Sequence, residues 1–339
     1  MKILRLSVAL MLVMFVVTGC ASRNNNNNNA VSSAPSVSVP AVNSLPDADD
    51  LRSGAEDLIS DVDEGVSRIG DDLESALDRD EDVSGIDRDR DESLSDESVA
   101  AAMSTDFSEI GALSAEKFGW GSGGPTDDVG RPNGATTYQE RYGKYNAFFI
   151  APSSQNVYLT FDEGYENGYT PMILDTLKAK DATAVFFITL DFAKTQPDLV
   201  KRMILEGHAL GNHSVKHRSF PEMPMEEAAK DIMELHDYVK KIFGYEMTLF
   251  RPPMGEFSEQ SLAVAQSLGY KSIFWSFAYK DYVLEDQPLT IEALDTITKK
   301  CHPGAIYLLH AVSQTNAEIL GQAIDNIREL GFNIASWNL

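Results

Sequence analysis

Cysteine is nearly missing from this sequence: Cys20 and Cys301 are the only two in 339 residues. One disulfide at most could form, and none if Cys20 is modified, in which case the fold must rest on its apolar core. Cationic side chains are also scarce. Twenty-eight lysines and arginines face 52 aspartates and glutamates, a formal net charge of −24. That balance argues against nucleic acid as a partner and against electrostatic docking on anionic lipid. The apolar run at 6–17 is shorter than the roughly 20 residues that a membrane-spanning helix needs. Aromatic residues are missing from Asp47 until Phe107, so that stretch has little with which to build a core.

What is present is enough for one substantial domain with appendages: 43% of the residues are hydrophobic. The acidity is concentrated. Residues 45–109 hold 23 acids and 5 bases, a net of −18; the first 44 carry +3, and 110–339 carry −9. Residues 24–29 are six asparagines, and 30–46 are rich in Ser, Pro, Val and Ala. Residues 21–109 therefore read as a flexible linker, first Asn-rich and then acidic and disordered. Leu58, Val62, Val66, Ile69, Leu73 and Leu77 recur at helical spacing, but Gly65 and Gly70 weaken such a helix. A solvated spacer is the reading, with a transient helix as the alternative. About 90 flexible residues reach roughly 50–55 Å from end to end, and charge repulsion extends them.

Lys2 and Arg5 precede the apolar run, as in an export signal. The run ends in Val17-Thr18-Gly19-Cys20, which resembles the lipobox of bacterial lipoproteins. That resemblance implies a signal peptide over 1–20 and lipidation of Cys20. It places the chain outside the cytoplasm, anchored to the outer face of the cytoplasmic membrane. A soluble export signal cut nearby, or a membrane anchor without a tail, is the alternative. Two or more acyl chains anchor stably, at ~0.8 kcal/mol per buried methylene. Cys301, beside His302, is then alone and reads as a small apolar filler before a turn.

From about residue 110 the composition becomes globular, and from Val157 strand-like and helix-like segments alternate. Strands are expected near 157–161, 183–190, 208–212, 248–250, 271–277, 305–310 and 332–337, with helices between them. Pro171 and Pro197 suit helix starts, and Gly244, Gly269 and Gly331 suit helix ends. Repeated strand–helix units imply an α/β fold: a distorted or incomplete parallel (β/α) barrel of about seven strands. A lead-in segment at 110–155 would pack on a domain spanning 156–339.

The unusual polar residues then fall into place. Asp162 and Glu163 follow the first expected strand, His213 and His217 the third, Arg251 the fourth and Asp281 the fifth; His310 ends the sixth. In a parallel barrel those strand ends share one face, where active sites are built. In HSVKH the two histidines are four apart, so one helical turn would aim both rings at a zinc-like ion; two surface histidines are the alternative. Of the adjacent carboxylates, one would bind the metal and the other would take a proton from water. A metal lowers that water's pKa and polarises a carbonyl. Pro252 and Pro253 would stiffen Arg251, whose guanidinium would keep Asp162 ionised; a salt bridge with no catalytic task is the alternative. His310 could protonate a leaving group, with Asp281 orienting it. His208, His236 and His302 read as structural or exposed.

TFDEG, HSVKH, RPPMG, the FAYKDY region and IYLLH resemble, in order, the five motifs of the polysaccharide deacetylases, carbohydrate esterase family 4. The resemblance covers about 156–339. It implies a distorted barrel and metal-dependent hydrolysis of N-acetyl groups on sugars. GYENGYTP, FRPPMGEFSE, HPGAIYLLHAVSQTNAE, GWGSGG and RYGKYNAFFI are similar to the branch that de-N-acetylates muramic acid for delta-lactam formation. The substrate so implied is peptidoglycan whose peptide stems have been removed. By position, Asp162 would be the base, and His213, His217 and Glu163 the metal ligands. Arg251 would orient Asp162, and His310 would be the general acid. The Met254 backbone N–H would stabilise the oxyanion, and Leu308 would line the acetyl-methyl pocket. Two histidines and a carboxylate favour zinc, with cobalt, nickel or manganese as alternatives.

Glu163 stands where most of the family has Asp, Met254 where most have an aromatic residue, and Tyr282 where Trp is common. One more methylene can still reach a metal, with water as the other third ligand. Two readings compete with the muramic one: an N-acetylglucosamine deacetylase, and a non-catalytic glycan-binding lipoprotein.

Overall fold

The computed structural model describes residues 106–121 and 124–337. The signal peptide expected over 1–20, the expected lipidation of Cys20, and all but the last four residues of the expected linker lie outside the described residues. Among the described residues ten short strands form: β1 (Phe118–Gly119), β2 (Ala147–Phe148), β3 (Asn156–Glu163), β4 (Val185–Ile188), β5 (Ala209–Asn212), β6 (Leu249–Phe250), β7 (Glu256–Phe257), β8 (Lys271–Ile273), β9 (Ile306–His310) and β10 (Asn333–Ile334). Eight α-helices of the described residues accompany them: α1 (Asn133–Tyr142), α2 (Thr170–Ala179), α3 (Leu190–Thr195), α4 (Pro197–Leu205), α5 (Met225–Phe243), α6 (Glu259–Ser267), α7 (Thr290–Lys299) and α8 (Gln314–Glu329). Among the described residues no helix is long and apolar enough to cross a membrane.

Eight strands join one sheet in the order β10–β3–β4–β5–β6–β8–β2, with β9 also paired to β3. Every pairing in it is parallel. All seven expected strands are present. The eighth, β2, comes from the segment read as a lead-in and pairs with β8. The sheet curls. Beyond β8 the chain reaches β9 through the bridge Phe277–Tyr307. There the Ser276 N–H donates to the Ile306 carbonyl and the Leu308 N–H to the Phe277 carbonyl. The result is an incomplete, distorted barrel. The remaining strands, β1 and β7, form a separate antiparallel ribbon.

Alternation along the strands sorts side chains into two packed layers. Val157, Leu159, Phe161, Phe186, Ile188, Tyr307 and Leu309 belong to one core, which also holds apolar residues of every helix from α2 to α8. Tyr158, Val185, Phe187, Ile306 and Leu308 belong to the second core, inside the curled sheet. Strands buried on both faces read as near-continuous apolar runs, as VYLTF does. At Gly211 on β5, a Cβ would lie 2.3 Å from the Phe187 ring, so the inner layer closes only over a glycine. The two rows of β3 end in the acid pair: 158–160–162 runs inward and 157–159–161–163 runs towards the helices.

Candidate active site

Asp162 and His310 are register partners on the adjacent parallel strands β3 and β9. Both line a cleft of about 540 Å³ at the strand ends, with His217, Trp275, Tyr282 and Leu308 among its other walls. Asp162 is 8% exposed, and its Oδ1 lies 2.6 Å from Arg251 Nη1. Arg251 follows β6 and is wholly buried. Its Nε donates to the Ile273 carbonyl (3.0 Å), and its Nη2 to Thr160 Oγ1 (2.7 Å) and the Phe274 carbonyl (3.3 Å). Its guanidinium sits 4.1 Å from the centre of the Phe187 ring. Burial pushes the Asp162 carboxyl up, but the charge and hydrogen bond of Arg251, with the charges of His213 and His310, together outweigh it and hold the pKa below the ordinary value.

His213 follows β5. Its Nδ1 lies 3.0 Å from the Arg251 carbonyl oxygen. A carbonyl only accepts, so Nδ1 carries the proton and Nε2 presents its lone pair. That Nε2 is 3.4 Å from Asp162 Oδ2. Burial pulls the His213 pKa down to about 4, although the Asp162 charge opposes this, so the ring is neutral at physiological pH. The His217 ring lies 4.8 Å away. The helical turn expected for HSVKH does not form. Ser214 (φ +70°) and His217 (φ +51°) are left-handed and turn a loop instead. Asn212 Oδ1 accepts from Ser214 N, Ser214 Oγ from His217 N, and Asp231 Oδ1 on α5 from Val215 N. The two rings still converge, by a route that local spacing did not reveal.

Glu163 departs from expectation. It is fully buried on the helix-facing row, next to Thr170 at the start of α2, whose Oγ1 donates to both carboxyl oxygens at 3.4 Å. Burial raises its pKa well above the ordinary value, and the charges of Glu166 and Asp162 push the same way. No ion pair joins it to either histidine among the described residues, nor do three His, Cys, Asp or Glu side chains there form a ready ion cage. The physical reason is strand alternation: a side chain adjacent to Asp162 on β3 points away from the cleft. Two imidazole nitrogens beside an ionised carboxylate do suit a divalent ion of borderline softness; Glu163 does not fit as the third ligand.

The general-acid candidate is held from behind. His310 Nδ1 is 2.7 Å from Asp281 Oδ1, which leaves Nε2 for the cleft. Asp281 is wholly buried, and its Oδ2 accepts the His310 backbone N–H (2.8 Å) and Asn316 Nδ2 (2.6 Å). Asn316 Nδ2 also donates to the His310 carbonyl (3.1 Å), and the Tyr279 hydroxyl donates to Asn316 Oδ1. Burial lowers the His310 pKa, but the hydrogen bond and charge of Asp281, with the charge of Asp162, win and leave it raised.

Met254 takes φ +59° in the turn after Arg251 and is half exposed at the cleft; Leu308 lines it from β9. Gly255 beside Met254 takes φ +67°, and a Cβ there would lie 2.8 Å from Trp275 and 2.9 Å from the Trp120 carbonyl. Cys301 is free and packs half-buried against the core, its pKa pushed up by burial to about 11. His208 and His302 are buried away from these groups, and His302 bonds to Ser276. Sequence reasoning missed Thr160, Asn316, Tyr279 and Asp231. Thr160 had a signal, since it shares the Asp162 row; the other three act across long stretches of chain and had none.

A half-open α/β barrel carries, at its strand ends, an arginine-bound carboxylate and an aspartate-bound imidazole on one cleft, a pair suited to taking up and donating protons in a hydrolysis. Residues 150–273 match the model of the polysaccharide deacetylase family. The peptidoglycan-N-acetylmuramic acid deacetylase PdaA of Bacillus subtilis is 44% identical over 195 residues, 57% of this chain and 74% of that protein. Its solved structure, that of a family 4 carbohydrate esterase, superposes with a TM-score of 0.63 at 39% identity, covering 66% of this chain and 96% of that one. A peptidoglycan-N-acetylglucosamine deacetylase of Bacillus cereus is 31% identical over 189 residues, 54% of this chain and 66% of that protein. The chain belongs to the polysaccharide deacetylase family, carbohydrate esterase family 4. It is a hydrolase of amide carbon–nitrogen bonds, in a family that is generally metal-dependent.

Proposed function

We propose that this protein removes the acetyl group from muramic acid in peptidoglycan glycan freed of its peptide stems. The observation that carries the chemistry is the pairing of two register partners, Asp162 bonded to the Arg251 guanidinium (2.6 Å) and His310 Nδ1 bonded to Asp281 (2.7 Å). Asp162 takes a proton from the attacking water. The water oxygen bonds to the acetyl carbon, the carbon–nitrogen bond breaks, and His310 protonates the departing nitrogen. Acetate and a free amine result. The Met254 N–H would face the oxyanion, and Leu308 would contact the acetyl methyl. His213 and His217 would hold a divalent ion, zinc by donor type, with cobalt, nickel and manganese as alternatives. When bound, the ion supplies Lewis-acid polarisation and a lower water pKa. Asp281 positions His310 and does not itself touch the substrate.

The muramic reading is supported by the 44% identity to PdaA, against 31% to the Bacillus cereus glucosamine deacetylase. The new amine could then close a six-membered lactam on the lactyl carboxyl, losing water. Such a substrate lies outside the cytoplasmic membrane. Lipid on Cys20 would anchor the protein to the outer face of that membrane, with 21–109 as spacer and 156–339 as catalytic domain.

The test is acetate release by the metal-loaded protein from wall glycan with and without stems, and from N-acetylglucosamine oligomers, with Asp162→Asn as control. Release from stem-free glycan alone, lost in Asp162→Asn, is expected. Release from the glucosamine oligomers alone would transfer the protein to the second reading.

A further inference from the structure

N-acetylmuramic acid differs from N-acetylglucosamine by a 3-O-lactyl group whose carboxyl is free, and charged, only when no peptide stem is attached. Residues 110–339 carry a net charge of −9, so an anionic glycan is repelled unless a cation meets it locally. Among the described residues lining the cleft, Lys280 is the one lysine or arginine. Arg251 is unavailable, because its nitrogens are engaged by Asp162, Thr160, Ile273 and Phe274 and it is wholly buried. The Lys280 ammonium stands at the rim, with 57% of its side chain exposed, one residue before Asp281. It already holds a carboxylate: its Nζ lies 2.5 Å from Asp286 Oδ2. Asp286 is itself 72% exposed, at the far end of the same loop, and can give way.

We propose that Lys280 is the specificity residue that reads the lactyl carboxylate, with Asp286 as the internal carboxylate that the substrate replaces. This rests on the muramic reading above and extends it. A stem amide-linked to the lactyl group removes the charge, so one contact separates stem-free muramic acid both from stem-bearing muramic acid and from N-acetylglucosamine. The hydrolysis of that amide is the reaction class that must supply this substrate.

The test compares stem-free glycan with the same glycan methyl-esterified at its lactyl carboxyls, using the full chain loaded with zinc. The wild type should prefer the free acid, and Lys280→Ala should lose that preference by about fivefold or more, through KM rather than kcat. Lys280→Arg should restore most of it. Asp286→Asn is the decisive second variant. If Lys280 reads substrate, removing its internal partner lowers KM for the free acid, opposite to Lys280→Ala. If the ion pair merely holds the loop, the two variants fall together, and the proposal is overturned. Equal activity of the wild type on acid and ester overturns it as well, while leaving the muramic reading intact. Wild-type activity on N-acetylglucosamine oligomers alone overturns both.

Discussion

Asp281 grips His310 at two points, the ring through Nδ1 at 2.7 Å and the backbone N–H at 2.8 Å. The grip fixes which nitrogen faces the cleft and raises the pKa of the ring. A general acid works only while protonated, so activity is present below that raised pKa and lost as pH rises through it. Asp281→Asn should move the alkaline limb of kcat/KM to lower pH and slow kcat by about 10- to 100-fold. A pH–rate profile of both proteins checks this; an unmoved limb would remove His310 from the acid role.

Asn316 ties Asp281 to the His310 carbonyl and is tied in turn by Tyr279. Asn316→Leu should lower kcat by about tenfold with little change in KM, and shift the alkaline limb in the same direction as Asp281→Asn. A simple loss of folded protein would scale the whole profile down without moving its limb, so the profile tells the two apart.

Arg251 is fully buried against Asp162. Arg251→Met leaves an unpaired buried carboxylate, which should destabilise the domain by about 3–5 kcal/mol in a denaturant titration. Adding Asp162→Asn should recover much of that. The folded pKa of Asp162 is lowered, so the pair stabilises above the unfolded carboxyl pKa, and its contribution fades as pH falls through the folded value. The gap between wild type and Asp162→Asn should narrow in acid accordingly.

Zinc affinity separates Glu163 from the two imidazoles. His213→Ala and His217→Ala should each weaken zinc binding by at least the roughly 10–100-fold that losing a mere supporting partner costs. Glu163→Gln should change it by less than about threefold, since Glu163 faces Thr170 and not the cleft. Calorimetry on the stripped protein reads this without reference to activity. An equal loss in all three would restore Glu163 as a ligand.

Much of the architecture was legible because it depends on short-range pattern. Runs such as VYLTF and IYLLH are short, apolar and bounded by polar residues and glycine, which suits buried strands of a parallel sheet. Polar residues immediately after them mark the functional end of a parallel sheet. The HSVKH loop does not follow its spacing because i,i+4 histidines also occur where left-handed residues turn the chain, and this turn is held by the Ser214, Val215 and His217 N–H groups donating to the side chains of Asn212, Asp231 and Ser214. The strand β2 is two residues long and carries almost no local signal; its pairing with β8 makes it a strand.

The sequence by itself determined the order of the strands, the residues at their tips and the presence of two adjacent acids, since these follow from chain order and side-chain type. Alternation also required that Asp162 and Glu163 face opposite ways. Only the tertiary structure decided which of them faces the cleft. That choice depends on which side of β3 the curled sheet encloses, and so on pairings with β9 almost 150 positions away. The burial that keeps His213 neutral and the Asn316–Asp281 clamp behind His310 are equally non-local. Burial and hydrogen bonding between distant segments set charge states, and no short stretch of sequence records them.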